Sequence, residues 1–214
     1  MPASHDDDRF RTYCGRYVWG PFTPFTQESL DLLQAELGIP LPEQYLAFLQ
    51  ANHGGTVEYS VKLPPGEQGE PICFSDWFTL EPGASGAYSW GSVLGEWRLA
   101  KDAHHSNELP DDLLPIARDG GGSTLYLRLG SDHRGEVWAF VHGLPAWAGG
   151  SMTDSFGPVA KSLDEYLDSL FVDEDLAEIA WLDRTPDYED MILAWLDTGF
   201  PAWRTRPWAN QRPE

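Results

Sequence analysis

The stretch Leu37-Gly-Ile-Pro-Leu-Pro-Glu-Gln-Tyr-Leu-Ala-Phe-Leu-Gln-Ala-Asn-His-Gly-Gly55 constrains this chain more than any other, because both ends of a helix are written into it. Pro42 suits a first helical turn, where its missing N–H forfeits no hydrogen bond. Tyr45, Phe48 and Leu49 fall on one face, and Gly54-Gly55 can take the left-handed conformation that closes a helix. A second segment, Leu114-Pro-Ile-Ala-Arg-Asp-Gly-Gly-Gly-Ser-Thr-Leu-Tyr-Leu127, reads differently. It is an apolar run, an Asp-Gly-Gly-Gly turn, then a strand with alternating side chains.

The surrounding pattern is equally ordered. Thr26 can cap a helix with Glu28 in its first turn, and Phe25 and Leu30 stand where a hydrophobic staple puts them. Leu30, Leu33 and Leu37 form its apolar side, and Gly38 ends it. Thr56–Leu63 alternates Val57, Tyr59, Val61 and Leu63 with polar residues, the period of a half-buried strand. Further strands are expected over Ile72–Phe74, resuming at Phe78–Leu80, with a helix over Tyr88–Leu99. Thr124–Leu129 and Glu136–His142 read as a hairpin turning at Ser131–Gly135. Ser162-Leu-Asp-Glu165 is a capping box, followed by Leu163, Tyr166, Leu167, Leu170 and Phe171 at helical spacing. Asp173–Leu182 and Pro186–Leu196 predict two more helices, the second with Tyr188, Met191, Ile192, Trp195 and Leu196 on one face. Residues 200–214 read as irregular.

In this order the segments resemble the SMI1/KNR4 family, or SUKH superfamily. The carriers are the Leu37–Gly55 helix, the Leu114–Leu127 turn and strand, Ser131-Asp-His-Arg-Gly-Glu-Val-Trp-Ala-Phe140, and the late helix of Ala160–Leu170. Each is ordinary punctuation; their ordered set is the informative part. The resemblance spans about Phe25 to Phe171. In bacteria it implies an immunity protein that binds and silences a polymorphic toxin, and it implies no catalysis. Three parts are expected: an aromatic-rich N-terminal segment (1–24), an SMI1/KNR4-like domain (25–172) and an acidic helical C-terminal extension (173–214). The element order independently indicates an α+β fold, with a mixed or antiparallel sheet and helices packed on one side. Tyr13, Tyr17, Trp19, Phe22 and Phe25 indicate that the N-terminal segment packs on the domain.

Charge sets the class of partner. The 214 residues contain 34 Asp and Glu against 14 Lys and Arg, a formal net charge of −20. Such a surface repels phosphate backbones and anionic lipids, so nucleic acid and membranes are not expected as direct partners; it favours a basic protein or cations, or else serves only to maintain solubility. Cys14 and Cys73 lack Cys-x-x-Cys spacing and read as two unrelated thiols of a reducing compartment, although spacing alone leaves a disulfide open. The acidic start lacks the basic and apolar regions of a signal peptide, and no apolar run is long enough to span a bilayer; a cytoplasmic protein is expected.

No catalytic, metal or cofactor site is expected. The Gly120-Gly-Gly122 loop is followed by a strand, lacks the Lys-Ser/Thr of a phosphate loop, and reads as a plain turn. His104-His105 with Asp102 and Glu108 offers metal-type side chains, but without the spacing of a helical ligand pair. His53, His133 and His142 are scattered. Neither Ser123 nor Ser92 completes a nucleophile elbow.

The acidic clusters are the functional lead. From Lys161 to Phe200 twelve acids face only Lys161 and Arg184. The residues expected to meet a partner are Asp173, Glu174, Asp175, Glu178, Trp181, Asp187, Glu189 and Asp190. Charge attracts the partner and buried aromatics anchor it; alternatively, the tryptophans are core residues and the acids their solvated faces. Beside the toxin-binding role stand two others, a regulatory protein-interaction scaffold and a small-ligand receptor or enzyme.

Overall fold

A computed structural model describes residues 9–63, 71–80, 91–101, 110–143 and 153–211, and these form three antiparallel sheets and six α-helices. β1 (Phe10–Tyr13) and β2 (Arg16–Trp19) pair with Tyr13 opposite Arg16. Between them Cys14 and Gly15 have φ of 47° and 71°, the two positive values of a tight two-residue hairpin turn. Trp19 extends this pairing to Thr56 through reciprocal 2.8 Å bonds. The N-terminal aromatics do pack inward: Tyr13 meets the edge of Phe48 at 5.4 Å, and Val18 is buried.

α1 (Gln27–Leu37) has the expected ends, with Thr26 accepting the Ser29 N–H at 3.3 Å and Gly38 left-handed at φ 70°. α2 (Glu43–Asn52) starts one residue later than Pro42, which is extended and serves as the N-cap. Tyr45, Phe48 and Leu49 are buried as the helical spacing requires. Gly54 is left-handed at φ 80°, and a Cβ there would lie 2.5 Å from Thr23 Oγ1. Gly55 serves another need: a Cβ on it would stand 2.6 Å from Val18, so it admits the hairpin against α2.

The strand expected over Thr56–Leu63 shortens to β3 (Ser60–Val61), paired with β4 (Ile72–Cys73). Val57, Tyr59 and Val61 are buried, as alternation predicts. No single strand runs beside them because their backbone partners are divided: Thr56 bonds Trp19, Val57 bonds Ser75, and Ser60 bonds Phe171. The next strand, β5 (Asp76–Trp77), resumes earlier than Phe78.

β5 begins a five-stranded sheet in sequential order with β6 (Leu113–Arg118), β7 (Thr124–Arg128), β8 (Val137–Val141) and β9 (Ser155–Ala160). The β6–β7 turn is set by the Asp119 carboxylate, which accepts the N–H groups of Gly121 and Ser123 at 2.8 and 2.7 Å. The β7–β8 turn is tied across the molecule by Arg134, which donates to the Pro40 carbonyl at 2.5 Å. β9 is not readable beforehand, because Ser-Phe-Gly-Pro-Val-Ala has no alternation; its Pro158 is tolerated on an edge strand. One face of the sheet contributes Leu114, Leu125, Leu127, Val137 and Ala139 to the core.

α3 (Val93–Lys101) packs against β6 and starts later than the expected Tyr88: Gly91 is left-handed at φ 83° and Ser92 bridges Thr79, while residues 88–90 lie outside the described residues. α4 (Leu163–Ser169) is capped by Ser162, which accepts the Glu165 N–H at 3.1 Å. The return bond is displaced by one residue, since the Glu165 carboxylate takes the Lys161 N–H at 3.3 Å. Arg16 donates to the carbonyls of Leu167 and Asp168 at 2.8 and 2.9 Å. A helix with no basic residue in its last turn thereby receives its C-terminal cation from the hairpin.

α5 (Glu174–Leu182) and α6 (Glu189–Gly199) follow, then 3-10 turns over Trp203–Thr205 and Pro207–Asn210. α6 begins after a turn that occupies residues 186–188 and continues past Leu196. Trp195 is fully buried, its N–H on the Glu58 carbonyl at 3.0 Å and its ring against Trp19 and Tyr59. The β1–β2 hairpin and α6 therefore share the central core. Among the described residues no helix is long and apolar enough to cross a membrane.

Candidate functional site

The expected acidic residues lie on and beside the two C-terminal helices, but their local surroundings differ. Asp173 is the N-cap of α5, accepting the Asp175 N–H at 3.0 Å. Glu174 pairs with Arg206 at 3.0 Å, Glu189 with Arg184 at 3.4 Å, and Asp190 with Arg9 at 3.4 Å. Arg9 also donates to the Asp187 carbonyl at 2.7 Å, and Asp197 pairs with Arg204. Three of the eight residues thus meet an arginine of this chain through their carboxylates. Asp175, Asp187, Glu189 and Asp190 are exposed, and Glu178 is half-buried.

Trp181 is only 7% exposed. Its ring lies 4.6 Å from that of Trp203, under the Arg184 guanidinium at 3.4 Å. Trp203 in turn stacks on Trp208 at 6.2 Å and carries Arg204 at 4.5 Å on its face. These rings and arginines join α5, α6 and the terminal 3-10 turns into one packed unit. In this arrangement Trp181 supports the acidic surface from beneath; the exposed apolar side chains are Ile179, at 59%, and Tyr188, at 49%.

Sequence reasoning missed Ile179, although its signal was available: it lies two residues from both Ala177 and Trp181, opposite the buried side of α5. It also missed Arg9, Arg204 and Arg206. Their pairing depends on contacts between segments as distant as Arg9 and Asp190, which periodicity does not report.

The residues weighed for catalysis occupy structural positions. His53 is buried, with Nε2 accepting the Leu80 N–H at 2.6 Å and Nδ1 3.2 Å from the carbonyls of Thr23 and Pro24. That pattern fixes the Nδ1–H tautomer and ties three segments together. Ser123, His142 and Asp154 are neighbours, with His142 Nδ1 3.2 Å from Asp154. The Ser123 hydroxyl, however, accepts the backbone N–H of His142 at 3.3 Å, while the imidazole packs on the Phe140 ring. That contact gives the hydroxyl no base to take its proton.

Both cysteines are free. Burial, then repulsion from Glu58, pushes the Cys73 thiol up to about 12. Cys14 is raised by desolvation and then by Asp164 and Asp168, despite its exposure. Neither is poised as a thiolate. Among the described residues no three His, Cys, Asp or Glu side chains gather as metal ligands. The His104-His105 loop lies outside them.

Comparison with family models decides the relationship. The model of the SMI1 / KNR4 family (SUKH-1) matches residues 24–169, more than half of the chain. The chain belongs to the SMI1 / KNR4 family. Comparison with curated proteins gave no match. The SUKH-1 match runs from just before α1 to the end of α4. It leaves outside it the β1–β2 hairpin and the α5–α6 unit that holds the acidic candidates. The family core and these two additions are packed through Trp19, Tyr59 and Trp195.

Proposed function

We propose that this SUKH-1 protein is a non-enzymatic, cytoplasmic immunity protein that binds a cognate polymorphic toxin and blocks its active or substrate-binding surface. The family match over residues 24–169 carries the reading. The charge of −20 adds the chemistry of the partner: a basic domain, such as a nuclease that must hold a polyanion. The acidic surface of Asp173, Glu174, Asp175, Glu178, Asp187, Glu189 and Asp190, braced by Trp181, would compete for that basic cleft.

Electrostatic attraction of this kind acts mainly on the association rate and weakens with salt. Co-expression of the full chain with basic nuclease toxin domains is expected to restore growth for the cognate one. Raising salt is expected to slow association by about an order of magnitude or more. Absence of protection across the cognate domains would overturn the immunity reading. An association rate and affinity indifferent to salt would remove its electrostatic component. Recovery of cellular regulators as the specific partners would favour a scaffold.

A further inference from the structure

We propose that the solvent face of α5, centred on Ile179, is a docking surface for a cationic protein segment carrying an apolar stripe. The inference rests on the reading above that the partner is a basic protein, and it names where that partner sits. α5 buries Ala177 and Trp181, which turns Ile179 away from the core and leaves it 59% exposed. Asp175 and Asp183 stand one turn to either side of Ile179, both exposed. Half-buried Leu176 and Leu182 lie three residues from it and widen the apolar strip.

The acids of this face differ from those around α6. Glu174, Glu189, Asp190 and Asp197 each hold an arginine of this chain. Among the described residues, Asp175, Glu178 and Asp183 form no ion pair. Their charge is available to an incoming cation without displacing an internal one. An exposed aliphatic side chain ringed by such carboxylates has the arrangement of an interface anchor within a polar rim. The charge selects a cationic occupant and the Ile–Leu strip requires that occupant to be apolar along one side.

The test is a titration of the isotope-labelled full-length protein, followed by NMR, with a synthetic Leu/Lys amphipathic helical peptide. A Lys-only peptide of equal charge is the control. Saturable shifts are expected at the amides of Asp175, Ile179 and Asp183. Ile179→Asp is expected to weaken the amphipathic peptide about tenfold, the order of losing one buried aliphatic anchor, and not to weaken the Lys-only peptide, which meets one more carboxylate there. The double variant Asp175→Asn, Asp183→Asn is expected to weaken both peptides and flatten the salt dependence. Because Asp175, Ile179 and Asp183 are all exposed, both variants should keep close to the parent melting temperature; Ile179→Ala supplies a milder second measurement. Shifts spread over the whole acidic surface, with Ile179→Asp and Ile179→Ala indistinguishable from the parent, would overturn the proposal. Toxin protection that survives Ile179→Asp unchanged would likewise remove this surface and leave the immunity reading. Peptide docking at α5 without protection against any toxin would remove the immunity reading and leave the surface.

Discussion

At the scale of single residues, Glu58 shows how burial and charge act against each other. It stands half-buried beside Cys73, whose thiol lies 3.9 Å from its carboxylate. Desolvation first, then repulsion from Asp76, raises its pKa, and the Cys73 contact only partly opposes this. A carboxyl raised on folding binds its proton more tightly in the folded state than in the unfolded one. Stability is therefore greatest below the unfolded pKa and falls as pH rises through the folded value. Glu58→Gln is expected to remove this fall and to raise stability at neutral pH. Urea denaturation of both proteins across the acidic to neutral range measures it; parallel pH curves would refute the assignment. Nothing in the sequence marks Glu58 among 34 acids, because its environment is assembled from β4, β5 and the segment between Thr56 and Ser60.

At the scale of elements, helix ends were legible because capping is a local transaction between residues three or four apart. Thr26 and Gly38 behave as their spacing predicts, Ser162 accepts the Glu165 N–H although the return bond falls on Lys161, and Asp173 adds a third N-cap. Ser162→Ala leaves the Glu165 N–H without its acceptor and is expected to lower stability by about 1 kcal/mol. Chemical denaturation reads that loss. An unchanged midpoint would show that the Arg16 bonds at the other end of α4 hold the helix unaided. Strands were read less well for the opposite reason. β9 exists because β8 offers it an edge, and the Thr56–Leu63 segment loses regular pairing because its partners lie on three different segments. Neither fact is encoded within a short window.

At the scale of the molecule, the C-terminal unit is part of the core. Trp195 fills the space between Trp19 and Tyr59, and Gly199 lies so close to Val172 that a Cβ would stand 2.2 Å from it. A chain ending at residue 171 would expose Tyr59 and Trp19 together and leave the Glu58 carbonyl without the Trp195 N–H. It is expected to lose cooperative thermal unfolding and to bind a hydrophobic dye. A sharp melting transition in that chain would show instead that the family-matched region folds alone. The same integration explains the hairpin, whose Arg16 completes α4 and whose Arg9 reaches Asp187 and Asp190.

The sequence by itself determined the class of fold, the caps of α1 and the N-cap of α4, the buried faces of α1, α2 and, apart from the exposed Tyr188, α6, the two hairpin turns of the large sheet, and the sign of the charge. All of these follow from patterns confined to a turn or a strand, where covalent spacing already fixes which side chains share a face. The tertiary structure alone decided which acids form no ion pair among the described residues, why Trp181 lies beneath the surface while Ile179 lies upon it, and how the β1–β2 hairpin and α6 close over the core. Those outcomes depend on which distant segments come within a few ångströms of each other. Ion pairs, burial and the pKa of a group such as Glu58 are set by that proximity, since Coulombic and desolvation effects follow distance and solvent access in space.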